Sequence, residues 1–244
     1  MSTASYLFAA VLYAAVAVFV AGLVRKVVQY ARVRAPLKIP TTPAPTTPWG
    51  VGLRLVREIV FFESLFKANL WIWLFGWLFH GALLLVLLRH LRYFVEPVWS
   101  WVAWLQPLGI LAALAMVAGI AGLWARRFLV ERIAYISTPS DHLMLALLVL
   151  IAASGLTLKF FAHTDIVAVK IYFLGLMHFE LQPLPADPAL YVHLALVSIL
   201  LIVFPFSKLL HAPGLLFSPT RNQRDDSRQI RHLAPWAAGL EAER

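Results

Sequence analysis

The chain has 244 residues, of which 61% are hydrophobic and 14% are charged, and its mean hydropathy is +0.78. This composition lies far outside the usual balance of a soluble globular domain, so it favours a protein embedded in a lipid bilayer. The chain contains no cysteine, which excludes disulfides, cysteine-ligated iron–sulfur clusters and a covalent haem site of the C-x-x-C-H kind.

Five stretches are long and apolar enough to cross a bilayer, which takes roughly 20 mainly apolar residues. They predict an all-α integral membrane bundle with spans at about 5–24, 69–92, 101–125, 142–161 and 189–212. No basic residues precede the first apolar run, so we interpret it as a retained span and not as a signal peptide. Residues 1–215 then form one five-span domain, and residues 216–244 form an arginine-rich cytoplasmic tail.

The connection between spans one and two contains APLKIPTTPAPTTPWG, whose closely spaced prolines favour a stiff, extended spacer. The next segment, VGLRLVREIVFFESLF, has the pattern of an amphipathic helix at the membrane interface. Its charged residues, Arg54, Arg57, Glu58 and Glu63, are expected to be exposed. An extension of the second span explains this segment equally well. In the fourth connection, the segment IVAVKIYFLGLMHFELQPLPADP is apolar but interrupted by Lys170, Glu180 and three prolines, and it is predicted to contain a short helix on the outer membrane surface.

The basic residues behind the formal net charge of +9 are distributed as the membrane topology requires, so the charge does not indicate a nucleic-acid partner. Eight basic residues lie between spans one and two, three between spans three and four, and six at the end of span five or after it. The other side has only four: Arg89, Arg92, Lys159 and Lys170. The positive-inside rule therefore predicts a multi-pass protein of the cytoplasmic (inner) membrane, surrounded by membrane lipid, with the N-terminus outside and the C-terminus in the cytoplasm.

Two of the spans carry two histidines each. An ionisable residue deep in a span usually faces the bundle interior and has a function there. His80 and His90 are ten residues apart in the second span, which separates them by roughly 15 Å along a helix and about 80° around it. His193 and His211 are eighteen residues apart in the fifth span, or roughly 27 Å along one helical stripe, with a kink expected at Pro205.

Because these two spans run antiparallel, His80 is expected to face His211, and His90 is expected to face His193. Each pair offers two imidazole nitrogens to the axial positions of one haem iron. The pattern therefore predicts two b-type haems with bis-histidine ligation, one near each membrane face. The unequal spacing of the two pairs requires helix tilt, a kink or inclined haem planes.

Small and charged residues near the histidines fit the same interpretation. Gly76 and Gly81 leave space for a flat macrocycle beside the second span. Arg89, Arg92 and Lys208 are candidates to bind haem propionates, with snorkelling to the membrane surface as the alternative. Interhelical hydrogen bonding is the alternative for the histidines, and it explains any one of them better than it explains the matched set.

The motifs around the histidines resemble the DsrM family of membrane haem b subunits and, more widely, the gamma subunits of respiratory nitrate reductases. The segments that carry the resemblance are KIPTTPAPTTPWG, FESLFKANLWIWLFGWLFH, LLRHLRYFVEPVW and FPFSKLLH. The resemblance implies the same two ligand pairs and a quinone site beside the outer haem. It also implies electron exchange with a cytoplasmic iron–sulfur subunit of the DsrK kind, within a larger Dsr complex of dissimilatory sulfur metabolism.

The nitrate reductase subunits use a lysine beside the outer haem for quinone, and this chain has none at the corresponding place. Arg89, His90, Arg92 and Tyr93 are therefore the candidate quinone contacts. We expect a quinone or quinol oxidoreductase subunit that carries out no sulfur chemistry alone. The alternatives are a gamma-type subunit of another respiratory reductase, or a non-redox transporter or scaffold whose histidines line a proton path or join helices.

Overall fold

The computed structural model describes residues 1–33 and 39–233, and every regular element in these residues is helical. The α-helices are, in chain order, α1 (Thr3–Arg32), α2 (Pro48–Phe61), α3 (Glu63–Ala68), α4 (Leu70–His90), α5 (Ser100–Leu105), α6 (Gly109–Leu129), α7 (Glu131–Ile136), α8 (Pro139–Thr157), α9 (Ile166–Met177), α10 (Pro188–Val203), α11 (His211–Leu216) and α12 (Pro219–Asn222). The all-α class predicted from the sequence is confirmed.

Five segments of these helices are long and apolar enough to cross a membrane: Thr3–Arg32, Leu70–Tyr93, Ser100–Leu129, Pro139–Ala162 and Pro188–Phe206. Most of the apolar surface of each segment is not covered by other parts of the protein. Since apolar surface of this extent is unfavourable in water, lipid is the solvent that suits it.

Polar side chains fix where several of the helices begin. The Asn69 side chain accepts a hydrogen bond from Ile72 N (3.0 Å) at the start of α4, and Asp187 accepts from Ala189 N (2.9 Å) at the start of α10. Such caps satisfy amide groups that have no partner within the helix. The boundaries of the two histidine-bearing helices are therefore set by local chemistry as well as by hydropathy.

Consecutive spans alternate in direction, which gives the bundle two ends. The N-face holds the N-terminus and the connections at 91–108 and 158–187, and contacts such as Leu184 N to Ser5 Oγ (3.0 Å) tie its parts together. The C-face holds the connections at 39–69 and 130–138 and the segment after α10, which contact each other through pairs such as Asp225 N and Pro45 O (2.9 Å).

Around the bundle, α4 packs along α6, α6 against α8, α8 against α10, and α10 against α1. The closest approach is between α4 and α6, where a Cβ on Gly119 would lie 2.8 Å from the backbone nitrogen of Phe79. Only glycine permits helices to approach this closely at that point. Within the described residues, the two histidine-bearing helices α4 and α10 are joined mainly through α6 and α8 and not by extended packing on each other.

The fifth span differs from its predicted course. Instead of continuing to residue 212, α10 ends at Val203 and is followed by a 3₁₀ turn (Phe204–Phe206), an extended Ser207, and a second 3₁₀ turn (Lys208–Leu210). Pro205 removes a backbone donor, and the Ser207 side chain accepts a hydrogen bond from Leu209 N (3.2 Å), which caps the new turn. The single helical stripe expected for His193 and His211 is therefore wrong.

The segment VGLRLVREIVFFESLF forms α2 and α3, separated from each other by Phe62 in the left-handed region (φ 51°). It is thus a distinct amphipathic helix pair and not an extension of the second span. Glu58 was expected to be exposed, but its side chain is only 10% exposed because Arg221 of α12 pairs with it at 3.2 Å. The predicted proline spacer includes residues 35–38, and the predicted tail includes residues 234–244, which lie outside the described residues.

Candidate functional site

His80 and His211 meet near the C-face of the bundle. Their ring centroids are 5.8 Å apart, and their ring planes lie at 89° to each other. His80 is half-buried in the middle of α4, with Phe62 and Phe79 as aromatic neighbours at 5.2 and 4.8 Å between centroids. His211 is exposed at the start of α11. We call His80 and His211 the C-face pair.

His90 and His193 lie near the N-face, and both are partly buried. His90 is the last residue of α4, and His193 lies in the second turn of α10. The two imidazoles are close enough to interact electrostatically. We call them the N-face pair. The structure thus brings together the same two pairs that the antiparallel spans predict.

Three of the four imidazoles are oriented by main-chain carbonyl groups. The Nδ1 atoms of His80, His90 and His211 lie 2.7, 2.6 and 3.1 Å from the carbonyl oxygens of Gly76, Val86 and Lys208, respectively. A carbonyl oxygen can only accept, so each Nδ1 carries the proton and donates it. The neutral ring then has its lone pair on Nε2, which is the form of histidine that binds a metal through Nε2.

The hydrogen-bond partner of the His193 Nδ1 atom is a side chain. This Nδ1 atom lies 2.8 Å from the hydroxyl oxygen of Ser154 on α8, and that hydroxyl donates its single proton to the carbonyl oxygen of Ile151 at 2.9 Å. With its proton on the Ile151 carbonyl, the Ser154 oxygen accepts from His193, and this arrangement leaves the lone pair on His193 Nε2. All four predicted ligands thus have their Nδ1 proton engaged.

His142 provides a contrast within the same bundle. Its Nδ1 atom accepts a hydrogen bond from the indole Nε1 of Trp124 at 3.0 Å, so the proton of its neutral ring is on Nε2. Among the described residues, no group of three or more histidine, aspartate or glutamate side chains could together hold a metal ion. The donor chemistry that remains is two imidazoles per site, which matches the two axial positions of a haem iron and not a carboxylate-rich metal centre.

The surroundings of the pairs also fit a large planar cofactor. Gly81 follows His80 directly, and a Cβ built on it would meet no atom within 4 Å. Among the described residues, α4 and α10 do not pack along each other, so close backbone contact does not fill the space between them. In this respect the residues present fit a haem.

Arg89 and Arg92 lie at the N-face, where the sequence places them, but their environments differ. Arg92 Nη1 donates to the side-chain oxygen of Gln106 at 2.9 Å, and its guanidinium lies 5.9 Å from the centroid of the Tyr93 ring. Arg89 packs against Gly109, and its Nε atom is buried without a hydrogen-bond partner in the structure. Of these two arginines, Arg89 is therefore the one with a buried hydrogen-bond donor that has no partner.

Gln106 was not identified from the sequence. Its amide nitrogen donates to the carbonyl oxygens of Val102 (3.0 Å) and Arg89 (3.4 Å), and its amide oxygen accepts from Arg92. It therefore ties the end of α4 to the turn that precedes α6. The sequence feature that could have identified Gln106 is its polar amide in an otherwise apolar connection, directly before Pro107.

Lys208 has a protein partner that sequence reasoning also missed. Its ammonium lies 2.8 Å from Oδ1 of Asp141, a buried carboxylate in the first turn of α8. Asp141 also accepts from the backbone nitrogen of Thr138 (3.0 Å) and lies 3.7 Å from Arg127. The sequence TPSD, which has the spacing of a helix-capping box, could have indicated that Asp141 has a structural role.

The fold and its paired histidines define a five-span membrane protein of a kind suited to binding cofactors between its helices. Residues 64–225 match the nitrate reductase gamma subunit family, and the chain belongs to this family. It is therefore a multi-pass membrane protein of the same type.

Two relatives extend this similarity over nearly the whole chain. The Hdr-like menaquinol oxidoreductase cytochrome b-like subunit of Archaeoglobus fulgidus is 40% identical over 269 aligned positions, which cover 92% of this chain and 81% of the relative. The protein of the same description from Archaeoglobus profundus is 34% identical over 284 aligned positions, which cover 97% of this chain and 84% of that relative.

Proposed function

We propose that this chain is a membrane cytochrome b subunit that carries two haems b and exchanges electrons between the quinone pool and a cytoplasmic redox partner. The observation that carries this proposal is the shared state of the four histidines. Each has its Nδ1 proton engaged by an acceptor, which leaves Nε2 as the donor atom. The relatives described as menaquinol oxidoreductase cytochrome b-like subunits support the same class of function.

In this proposal, His80 and His211 hold one haem, and His90 and His193 hold the other. Haem held by these histidines would supply one-electron transfer chemistry at each site. The chain contributes fixed ligand orientation and an apolar surrounding that excludes water. Two sites near opposite faces of the membrane then provide a route for electrons across it.

The proposed orientation has the C-face in the cytoplasm. Most lysines and arginines of the sequence belong to the C-face, which suits the cytoplasmic side of a cell membrane. The N-face then faces outward, with the exposed side chains Trp99, Trp101 and Trp104 at the depth where tryptophan is enriched in membrane proteins. The N-terminus would lie outside and the C-terminus in the cytoplasm.

Quinone is proposed to bind at the N-face, beside the N-face pair. Oxidation of one quinol to a quinone releases two electrons and two protons, and the outward position would release these protons outside. Arg89 is the strongest candidate to donate a hydrogen bond to a quinone oxygen or a haem propionate, because its Nε has no protein partner. Arg92 and Tyr93 complete the candidate set with His90, although Arg92 already bonds to Gln106.

The C-face is the proposed docking side for a cytoplasmic partner. Since the chain has no cysteine, it cannot hold a cysteine-ligated iron–sulfur cluster, and electrons from the C-face pair need an acceptor or donor on another subunit. An iron–sulfur subunit similar to DsrK, within a Dsr-type complex, is our proposal for this partner. The positive charge of this face favours a partner with an acidic surface.

A reduced-minus-oxidised absorption spectrum of the purified full chain tests the proposal. We expect b-type bands and a haem-to-protein ratio of two, with the bands appearing when a menaquinol analogue is added. Bands that respond to dithionite but not to the quinol would overturn the quinone assignment. A chain without b-type bands would overturn the proposal and favour the transporter or scaffold alternative.

Replacing Arg89 tests the quinone site separately. Arg89→Ala should slow haem reduction by the quinol analogue, while the dithionite-reduced spectrum and the haem content stay unchanged; loss of haem would instead assign Arg89 to a haem propionate. Arg126→Ala, in the last turn of α6 at the C-face, is the control for loss of one arginine. Equal kinetics for the wild type and Arg89→Ala would remove Arg89 from the set.

A further inference from the structure

His193 differs from the other three proposed ligands in the group that accepts its Nδ1 proton. His80, His90 and His211 donate to carbonyl groups three or four residues earlier in their own segments. These acceptors are part of the backbone and are present whatever the side chain. The acceptor for His193 is the hydroxyl of Ser154, which belongs to the neighbouring helix α8.

The Ser154 hydroxyl is itself held in one orientation. Its proton is donated to the Ile151 carbonyl oxygen at 2.9 Å, so its oxygen lone pairs are directed away from that bond and toward the ring. The neighbouring Gly155 brings the backbone of α8 against the imidazole, since a Cβ there would lie 3.5 Å from His193 Cε1. The ring and the hydroxyl therefore meet in a close and defined contact.

We infer that Ser154 is a positioning residue that fixes the tautomer of His193 and tunes the haem of the N-face pair. The inference rests on the proposed function, because it needs His193 to be a haem ligand. Donation of the Nδ1 proton to an acceptor increases the basicity of Nε2. A more basic imidazole stabilises the ferric state relative to the ferrous state, so Ser154 lowers the midpoint potential of one haem and leaves the other unchanged.

A shape-matched pair of substitutions tests this inference in the full chain. Thr and Val have nearly the same volume, but only Thr keeps the hydroxyl, so Ser154→Thr and Ser154→Val differ in the acceptor alone. Ser154→Ala is a weaker test, because it empties the space of the hydroxyl and lets the Ile151 carbonyl, which also lies beside the His193 ring, accept the Nδ1 proton, whereas the γ-methyl group of valine fills that space. The measurement is a redox titration of the purified chain followed by absorption and by the low-spin ferric haem signals in electron paramagnetic resonance.

We expect Ser154→Val to shift one of the two haems to a higher potential and to move its ferric resonance, while the second haem keeps both values. Ser154→Thr should stay close to the wild type. Should Ser154→Val fail to fold, Ser154→Cys keeps the side-chain size with a weak sulfur acceptor, and it should shift the same haem in the same direction by less. Unchanged potentials in the Val or Cys variant would overturn the inference.

Ser198→Val is the matched control. Ser198 is a buried serine of α10 whose hydroxyl donates to the Leu194 carbonyl oxygen at 2.8 Å, and among the described residues it bonds to no histidine. This control should leave both potentials unchanged, and a shift equal to that of Ser154→Val would overturn the inference. A wild-type chain without haem would instead refute the proposed function, so the two failures are distinguishable.

Discussion

The two histidine pairs are held by different kinds of structure. In the N-face pair, both histidines belong to long membrane-spanning helices, and the ring of His193 contacts Ser154 of a third span. In the C-face pair, His80 belongs to a span, but His211 follows two short turns and is exposed. One site is therefore built into the bundle, and the other is completed by a segment outside it.

This difference means that side chains outside the helix α10 determine the position of His211. Because α10 ends at Val203, the helix does not determine where His211 lies. The segment that carries His211 is held by the Lys208–Asp141 ion pair and by the packing of Pro205 against Gly22 of α1. Substitutions at these contacts should affect the C-face pair more than the N-face pair.

The largest effect is expected from Asp141→Ala. This substitution removes the buried acceptor of Lys208 and of the Thr138 backbone, and loss of each hydrogen bond to a charged group costs about 2 kcal/mol. Thermal unfolding in detergent should show lower stability, and haem analysis should show loss of the haem bound by the C-face pair. Ser140→Ala, at an exposed neighbour, is the control. Equal loss of both haems would show that the two sites are not held independently.

A smaller effect is expected from Gly22→Ala. A Cβ at this position would lie 2.5 Å from Cβ of Pro205, so α1 and the corner after α10 must separate, at a cost of about 1–3 kcal/mol. The haem of the C-face pair should be bound less tightly. Gly52→Ala is the control, because a Cβ there meets nothing within 4 Å, and alanine should raise helix stability. Equal stability of the two variants would contradict the proposed close contact.

The smallest effect concerns the N-face and depends on pH. Burial raises the pKa of Tyr172 in α9 to about 12, and its hydroxyl donates to the Ser5 carbonyl oxygen at 3.2 Å. A raised pKa favours the protonated form in the folded state, so its contribution to stability is present below pH of about 10 and is lost as pH rises toward 12. Tyr172→Phe should remove this part of the alkaline dependence of the melting temperature. An unchanged alkaline profile would refute the assignment to Tyr172.

The sequence was sufficient to predict the features that depend on local patterns. Hydropathy identifies the five spans because each needs a long apolar run, and the alternating direction of the spans predicts which histidines lie near the same face. A short helix in the fourth connection was also predicted in this way, and the structure places it at Ile166–Met177. These features depend only on residues that are near each other in the chain.

Contacts between distant segments could not be predicted in this way. The partners of Asp141, Ser154 and Gln106 lie on other helices, and a polar residue in a span has many possible partners until the packing is known. The end of α10 was misjudged because a proline in a span can either kink a helix or end it. Here the Ser207 side chain, which caps the following turn, is associated with the second outcome.

The measurement that tests the central claim most directly is the haem content of single and double histidine variants of the full chain. We expect two haems per chain in the wild type and in His142→Ala, and one in each single replacement of His80, His90, His193 or His211. The double variant His80→Ala/His211→Ala should keep one haem, whereas His80→Ala/His90→Ala should keep none. A wild-type chain without haem, or a His80→Ala/His211→Ala variant that loses both, would contradict the two-pair arrangement.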